Sequence, residues 1–118
     1  MHLKKINGTN LPYEDNYFSK ILSSLVIHHI SSENKLIIFE ELIRVLKPGG
    51  EIFILDYGKQ KRLYSKIIVH IFRKLEPIDD NINGLIPDVL KKAKFHNVTI
   101  NSYYKTLVGD LTIYHGKK

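Results

Sequence analysis

The sequence predicts an α/β fold built on a doubly wound sheet, and two patterns carry that prediction. Residues 45–56 run from the end of an amphipathic helix through Gly49-Gly50 directly into an apolar strand. Pro48 cannot continue a helix, and a glycine after it can adopt the left-handed conformation that closes one. The strand itself, residues 52–55, contains nothing polar. Such a run is typical of a central parallel strand that is covered on both faces.

The residues before this turn predict two strands and a helix. Residues 3–6 are a candidate short strand, which turn residues and a polar loop follow. Phe18–Ser24 predicts a strand with Ile21 and Leu22 buried. Ser31 or Ser32 can cap the next helix. Its apolar side chains recur at helical spacing and form one stripe: Leu36, Phe39, Leu42, Ile43 and Leu46.

The residues after the turn predict two further helices and a hairpin. The first helix covers residues 57–75, and basic side chains surround its apolar stripe of Leu63, Ile67, Ile68, Ile71, Phe72 and Leu75. Residues 76–84 are predicted to form a loop, and Pro87 suits the first turn of a helix that ends near residue 94. Residues 98–104 and 107–114 alternate as two strands. The expected sheet is therefore mostly parallel, with a C-terminal antiparallel hairpin.

Length and composition indicate a globular protein. The 118 residues suit one domain that spans residues 1–118. The 43% hydrophobic and 25% charged residues are typical of soluble domains. The chain contains no cysteine, which excludes disulfides and thiolate zinc sites and fits a reducing compartment. Without an apolar leader or a transmembrane segment, we expect a cytoplasmic protein.

The positive charge lies in the second half of the chain. Residues 1–56 carry a net charge of −1, whereas residues 57–118 carry +7. A basic half is consistent with an anionic partner, although a lysine-rich solvated face is the simpler explanation. The basic helix 57–75 has three open interpretations: it binds an anionic acceptor, lies on a membrane surface, or packs its apolar face on the sheet. No RNA-binding signature accompanies the basic residues, so nucleic acid is not favoured as a partner.

Three segments resemble, in order and spacing, the class I S-adenosylmethionine-dependent methyltransferases. They are NGTNLPYEDNYFSKILSSLVIHHI, RVLKPGGEIFILD and DVLKKAKFHNVTINSYYKTLVGDLTIYHGKK. The resemblance implies an incomplete Rossmann-like sheet that begins at the family's third strand. It also implies S-adenosylmethionine as cofactor and methyl transfer to an acceptor that the sequence does not name.

The resemblance places cofactor contacts in two segments: Asn7, Gly8 and Thr9, then Ser24 and Leu25. Asn7 falls where the family usually has an acidic residue against the adenine, and an amide oxygen also accepts a hydrogen bond from an exocyclic amine. Gly8 and Thr9 would place backbone against that base. Ser24 and Leu25 follow a strand, where open α/β sheets bind ligands. The alternative is an ordinary Asn-Gly turn and a serine that ends a strand.

His29 is the candidate catalytic residue, because relatives place a side chain facing the methyl group at this point. Methyl transfer depends mainly on holding the nucleophile in line, and some acceptors also need a base. The alternative for His29 is a packing role in the cleft wall. His28 and His29 are neighbours whose side chains diverge, and HExxH spacing is absent, so no metal site is predicted.

The sequence departs from the family where the family carries a glycine-rich loop. That loop binds the methionine end of the cofactor, but no two glycines here stand in GxG spacing. In the family's sheet order, the missing first strand lies beside residues 20–24, which leaves an open edge. We therefore expect self-association or a partner chain at this edge, or a truncated part of a longer protein that is inactive alone. The alternative function is a non-catalytic, methyltransferase-like binding or regulatory module.

Overall fold

A four-stranded sheet forms the centre of the computed structural model, which describes residues 2–6, 9–75 and 77–118. The strands are β1 (Phe18–Ser24), β2 (Leu46–Tyr57), β3 (His96–Thr106) and β4 (Gly109–Lys117). They lie side by side in the order β1-β2-β4-β3. The helices are α1 (Ser32–Val45), α2 (Leu63–Phe72), α3 (Asp79–Ile82) and α4 (Ile86–Lys92), and a short 3-10 turn covers Ile27–His29.

The direction of the strands confirms the hairpin but corrects the expected proportion of parallel pairing. β1 and β2 are parallel, whereas β4 is antiparallel to both β2 and β3. The prediction of a mostly parallel sheet is therefore wrong for the described residues. Parallel neighbours need a crossover connection, and the helix α1 supplies one between β1 and β2. The short turn between β3 and β4 instead forces an antiparallel pair.

The strand predicted at residues 3–6 does not form. These residues are described without any strand pairing, and the side chain of Leu3 is 84% exposed. The short α3 lies where a loop was expected. α4 begins one residue before Pro87, which stands in its first turn as predicted.

The core lies between the sheet and one layer of helices. Ile52 and Ile54 of β2 are fully buried in one cluster with Phe39 of α1 and Leu90 of α4. Because side chains alternate along a strand, Phe53 points to the opposite face, and there it is only half-buried. The predicted cover of β2 is therefore complete on one face and partial on the other.

The junction between α1 and β2 explains why two glycines follow Pro48. Phe18 of β1 pairs with Leu46, and Lys20 then pairs with Glu51, so residues 47–50 bulge out of the ladder. Gly49 has a φ of +76°, which other residues rarely adopt. A Cβ at Gly50 would lie 2.8 Å from the Lys47 carbonyl oxygen. The predicted Gly-Gly turn between helix and strand is therefore corrected: α1 ends at Val45, and the two glycines form a bulge within β2.

β1 lies at the edge of the sheet, as the resemblance implied, with β2 as its neighbour among the described strands. Ile21 is half-buried and packs against the core. Leu22 points to the opposite face and is 76% exposed, so the prediction that it is buried is wrong. Ile21 and Leu22 differ in burial because they point to opposite faces of β1 and helices cover only one of those faces.

The second helix differs most from its prediction. α2 is ten residues long rather than covering residues 57–75. Its inward positions are Ser65 and Val69, whereas Leu63, Ile67 and Ile71 are exposed. Ile68 is half-buried, Leu75 lies beyond the helix and is exposed, and the side chain of Phe72 is outside what the structure describes. The predicted stripe therefore faces largely away from the sheet.

Candidate functional site

The carboxyl ends of β1 and β2 lie side by side along the carboxyl-end edge of the sheet, where Ser24 pairs with Leu55. The backbone N–H of Leu25 donates a 2.8 Å hydrogen bond to the Leu55 carbonyl and closes the ladder. Leu25 then turns with a φ of +53°. A left-handed conformation costs a non-glycine residue about 1–2 kcal/mol. Backbone strain of this kind is concentrated at functional sites, so the strained Leu25 makes this edge of the sheet a candidate site.

A buried histidine–carboxylate pair joins the two strand ends. His28 Nδ1 lies 2.7 Å from Asp56 Oδ1, and the His28 backbone N–H donates to Asp56 Oδ2 at 3.2 Å. The Tyr57 backbone N–H also donates to Asp56 Oδ1, at 2.7 Å. An ionised carboxylate only accepts hydrogen bonds, so Nδ1 carries a proton and Nε2 of a neutral ring holds the lone pair. A carboxylate that orients an imidazole in this way is a recurring feature of catalytic sites.

Two further rings pack on this pair. The centroids of the His28 and His29 rings are 4.0 Å apart, and the Tyr57 ring meets His28 edge-on at 5.0 Å. His28 is buried whereas His29 is exposed. Burial and then the nearby Asp56 charge raise the pKa of the Tyr57 hydroxyl. The predicted catalytic residue, His29, therefore lies beside a fixed histidine–aspartate pair and is open to solvent.

Sequence reasoning missed both members of that pair. From the sequence, His28 is named only as a neighbour of His29, and no role is assigned to Asp56. A signal for them is present in the sequence, because each is a polar residue that follows the end of a predicted parallel strand. Such residues converge at one edge of the sheet.

A cavity of about 400 Å³ lies beside the end of β1. It brings together two of the predicted cofactor-binding residues, Thr9 and Ser24, which both line it. Leu25 is not part of its wall. Asn7 and Gly8 lie outside the described residues, so the structure does not bear on them.

The remaining wall of the cavity is mainly apolar, with Ile6, Leu11, Val26 and Leu42 among its side chains. An apolar cavity with a few polar groups is the usual form of a small-molecule site. Thr9 and Ser24 are the two hydroxyl-bearing residues of this wall that were predicted to contact the cofactor.

A clamp on α1 holds the loop that follows Thr9. Arg44 donates to Glu41 at 2.6 Å, to Asp15 at 2.6 Å and to the Tyr13 carbonyl at 2.9 Å. Glu41 in turn accepts the Leu11 backbone N–H at 2.9 Å. The hydrogen bond from Arg44 lowers the pKa of Glu41. These contacts place the cavity wall relative to the sheet.

Two further features are absent from the described residues. Among them, no group of three or more His, Cys, Asp or Glu side chains is arranged to hold a metal ion. None of their helices is both long and apolar enough to cross a membrane.

Comparison with known proteins identifies the family that this chain resembles. A family profile described as "Methyltransferase domain" matches residues 1–54. The ubiquinone/menaquinone biosynthesis C-methyltransferase UbiE of Vibrio cholerae is 31% identical over 80 residues, which are 64% of this chain and 30% of that protein. UbiE of Vibrio campbellii is 23% identical over 139 residues, which cover 100% of this chain and 52% of that protein.

The chain is therefore similar to S-adenosylmethionine-dependent methyltransferases. A solved methyltransferase of that kind, from Thermotoga maritima, matches with a TM-score of 0.71 at 18% identity, over 93% of this chain and 60% of that one. At this identity the match supports the fold alone. The chain spans about half the length of the curated methyltransferase that it matches from end to end, 52%. The predicted family, its Rossmann-like fold and its cofactor, S-adenosylmethionine, are confirmed at this level.

Proposed function

We propose that this chain takes part in S-adenosylmethionine-dependent methyl transfer at the carboxyl ends of β1 and β2. The observation that carries the proposal is the buried His28–Asp56 pair, which lies where open α/β sheets bind their ligands. The strained Leu25 and the cavity at Ser24 lie at the same edge. The similarity to known methyltransferases supports the choice of reaction.

The chain's own residues would bind and orient. In this proposal Thr9 and Ser24 offer hydroxyls to the cofactor, and the apolar cavity wall holds its base; Asn7, Gly8 and Leu25 stay predicted contacts from the resemblance. The bound cofactor supplies an electrophilic methyl group. His29 faces the acceptor and takes a proton where the acceptor must lose one. His28, fixed by Asp56, packs ring to ring on His29 and positions it.

The acceptor class follows from the relatives only. Both curated relatives named above are carbon methyltransferases of ubiquinone and menaquinone biosynthesis. We propose an aromatic quinone precursor as the first acceptor to test.

Calorimetric titration with S-adenosylhomocysteine tests the cofactor site directly. We expect micromolar binding, and we expect Ser24→Leu to weaken it at least tenfold because a larger side chain enters the cavity. Ser19→Leu is the matched control, since Ser19 lies on the same strand and is exposed at its other end. Equal binding by both variants would remove the cavity from the proposal. No heat from the native chain would favour the non-catalytic binding module instead.

The role of His29 needs a turnover measurement. We expect His29→Ala to lower kcat by about 100-fold, the usual contribution of a general base, with unchanged affinity for S-adenosylhomocysteine. His96→Ala, at an exposed histidine that begins β3, is the control and should keep full activity. Full activity in His29→Ala would assign it the packing role.

The open edge of β1 bears on whether one chain holds the whole site. Unpaired backbone groups on an edge strand pair readily with another strand. We propose that a second copy or a partner chain pairs here and completes the cofactor site. Light scattering at high concentration tests self-pairing, and a strict monomer that still binds S-adenosylhomocysteine would contradict it.

A further inference from the structure

The helix α2 presents an apolar face to solvent. Leu63, Ile67 and Ile71 follow one another at a spacing of four residues, so they share one face, and Tyr64 lies beside them. Leu63 is 75% exposed, Ile67 is 54% exposed, Ile71 is 59% exposed and Tyr64 is 51% exposed. We call these four side chains the α2 stripe. An exposed contiguous apolar patch on a folded protein usually marks an interaction surface.

The orientation of the stripe is fixed by a polar anchor at the start of the helix. Asp110 of β4 is fully buried and accepts hydrogen bonds from the Lys61 backbone N–H at 3.0 Å and from Ser65 Oγ at 2.8 Å. Arg62 donates to the same carboxylate from Nε at 3.0 Å and Nη2 at 2.7 Å. These bonds turn Ser65 toward the sheet. The apolar side chains on the opposite side of the helix therefore point outward.

All charged residues in the segment around the stripe are cationic. Residues 57–75 contain six Lys or Arg and no Asp or Glu. Arg62 is paired with Asp110 and Arg73 with Asp79, whereas Lys59, Lys66 and Lys74 are exposed without a carboxylate partner among the described residues. Charge of one sign beside an apolar face selects a partner that is both apolar and anionic.

A basic hollow lies along one flank of the same helix. It has a volume of about 290 Å³, and its cationic or titratable lining residues are Lys59, Lys66, His70 and Arg73. Lys66 and His70 are four residues apart and therefore share one helix face, and each directly precedes a residue of the α2 stripe. Groups of this kind bind phosphate oxygens as point charges and hydrogen-bond donors.

From these observations we propose that α2 lies flat on an anionic phospholipid bilayer. The stripe enters the boundary between headgroups and acyl chains, and the lysines and the basic hollow contact lipid phosphates. An amphipathic helix with a basic polar face is the form that interfacial membrane anchors take. At about 1.5 Å per residue, the ten residues of α2 are far too short to span a bilayer, so the helix lies along the surface. This inference does not depend on methyl transfer.

Flotation of the native chain with lipid vesicles tests the proposal. We expect binding to vesicles that contain about a third phosphatidylglycerol in phosphatidylcholine, weak binding to pure phosphatidylcholine, and a loss of affinity as salt is added, because anionic lipid supplies the attraction. The double variant Ile67→Gln/Ile71→Gln should lower the partition coefficient at least tenfold, since it removes the inserted apolar groups. Lys66→Gln should lower it about fivefold.

Two control variants match these changes elsewhere on the surface. Ile37→Gln replaces an apolar side chain of α1 that is 47% exposed, and Lys91→Gln removes an exposed lysine of α4. Both should bind vesicles like the native chain. Thermal unfolding should be equal for all variants, because every substituted side chain is exposed.

A tryptophan reporter gives an independent measurement, since the chain contains no tryptophan of its own. The emission of Ile71→Trp should shift to shorter wavelength with anionic vesicles and not with free inorganic phosphate. Equal vesicle binding by the native chain and the Ile67→Gln/Ile71→Gln variant would overturn the proposal. A native dimer that this variant converts to a monomer, without any vesicle binding, would do so too and would assign the stripe to self-association.

Discussion

The helices α1 and α2 have apolar residues at the same spacing but bury them to opposite extents. In α1, Phe39 is fully buried and Leu42 is half-buried against the core. In α2, Leu63, Ile67 and Ile71 are all exposed by more than half. The comparison shows that helical periodicity identifies an apolar face without specifying what that face contacts.

Topology explains the difference. α1 connects two parallel neighbours, β1 and β2, and a crossover helix of this kind must pack on the sheet. α2 follows β2, whose other neighbour, β4, is antiparallel and is reached through α2, α3, α4 and β3. No crossover therefore constrains the apolar face of α2, and the buried Asp110 anchor orients the helix instead.

We expect the largest difference in the free energy of unfolding when one large apolar side chain is shortened in each helix. Phe39→Ala should lower the free energy of unfolding by about 4 kcal/mol, because it leaves a cavity in the core. Ile67→Ala, at an exposed position, should change it by less than about 0.5 kcal/mol. Urea unfolding measures both. Comparable losses at the two positions would show that the α2 stripe is packed after all.

The anchor of α2 gives the next largest effect. Asp110→Ala should lower the free energy of unfolding by about 3 kcal/mol, because Arg62 and the Lys61 N–H lose a buried, charged partner. Amide exchange should rise in α2 more than in α1. Asp88→Ala, at an exposed carboxylate of α4, is the control and should be nearly neutral. Unchanged exchange in α2 would mean that other contacts hold it.

The same carboxylate gives a smaller effect through pH. Burial alone would raise the pKa of Asp110, but the nearby Tyr103 hydroxyl and the hydrogen bonds from the Lys61 N–H, Ser65 and Arg62 outweigh it and hold the pKa well below its usual range. The stabilisation is therefore complete above the unfolded-state pKa of about 3.9 and is lost as pH falls from there through the folded-state pKa.

Urea unfolding at a series of acidic pH values measures this linkage. The native chain should lose stability steadily as the pH falls below the unfolded-state pKa. Asp110→Asn should start lower and decline less steeply, because it has no carboxylate to protonate at this position. Parallel pH profiles for the two proteins would remove Asp110 from the acid sensitivity.

Several elements could be predicted because a local signal determines them. The order of α1 and β2 was predictable, since an amphipathic helix and a buried apolar strand each leave a clear pattern, although the strand begins at Leu46, before the two glycines. The β3–β4 hairpin was predictable from alternation. In the site, the family resemblance selected Thr9 and Ser24, which line one cavity, and their contact with a cofactor stays a prediction.

The remaining features depend on contacts that the sequence does not show. His28 and Asp56 are 28 positions apart, and only the pairing of β1 with β2 brings them together. Asp110 lies 48 positions from Arg62, so the anchor that turns α2 outward leaves no local pattern. Parallel or antiparallel pairing likewise depends on which strands become neighbours.

The smallest effect concerns the strained residue at the proposed site. Leu25→Gly should raise the free energy of unfolding by up to about 1 kcal/mol, because glycine adopts a φ of +53° without the Cβ penalty. Leu22→Gly, on the exposed face of β1, should instead lower it by about 0.5–1 kcal/mol, because glycine in a strand loses more conformational entropy on folding. Thermal or urea unfolding distinguishes the signs. Opposite signs at two exposed leucines only three positions apart would show that the end of β1 stores strain and the strand itself does not, whereas a loss at both positions would mean that the Leu25 side chain contributes packing that outweighs its backbone strain.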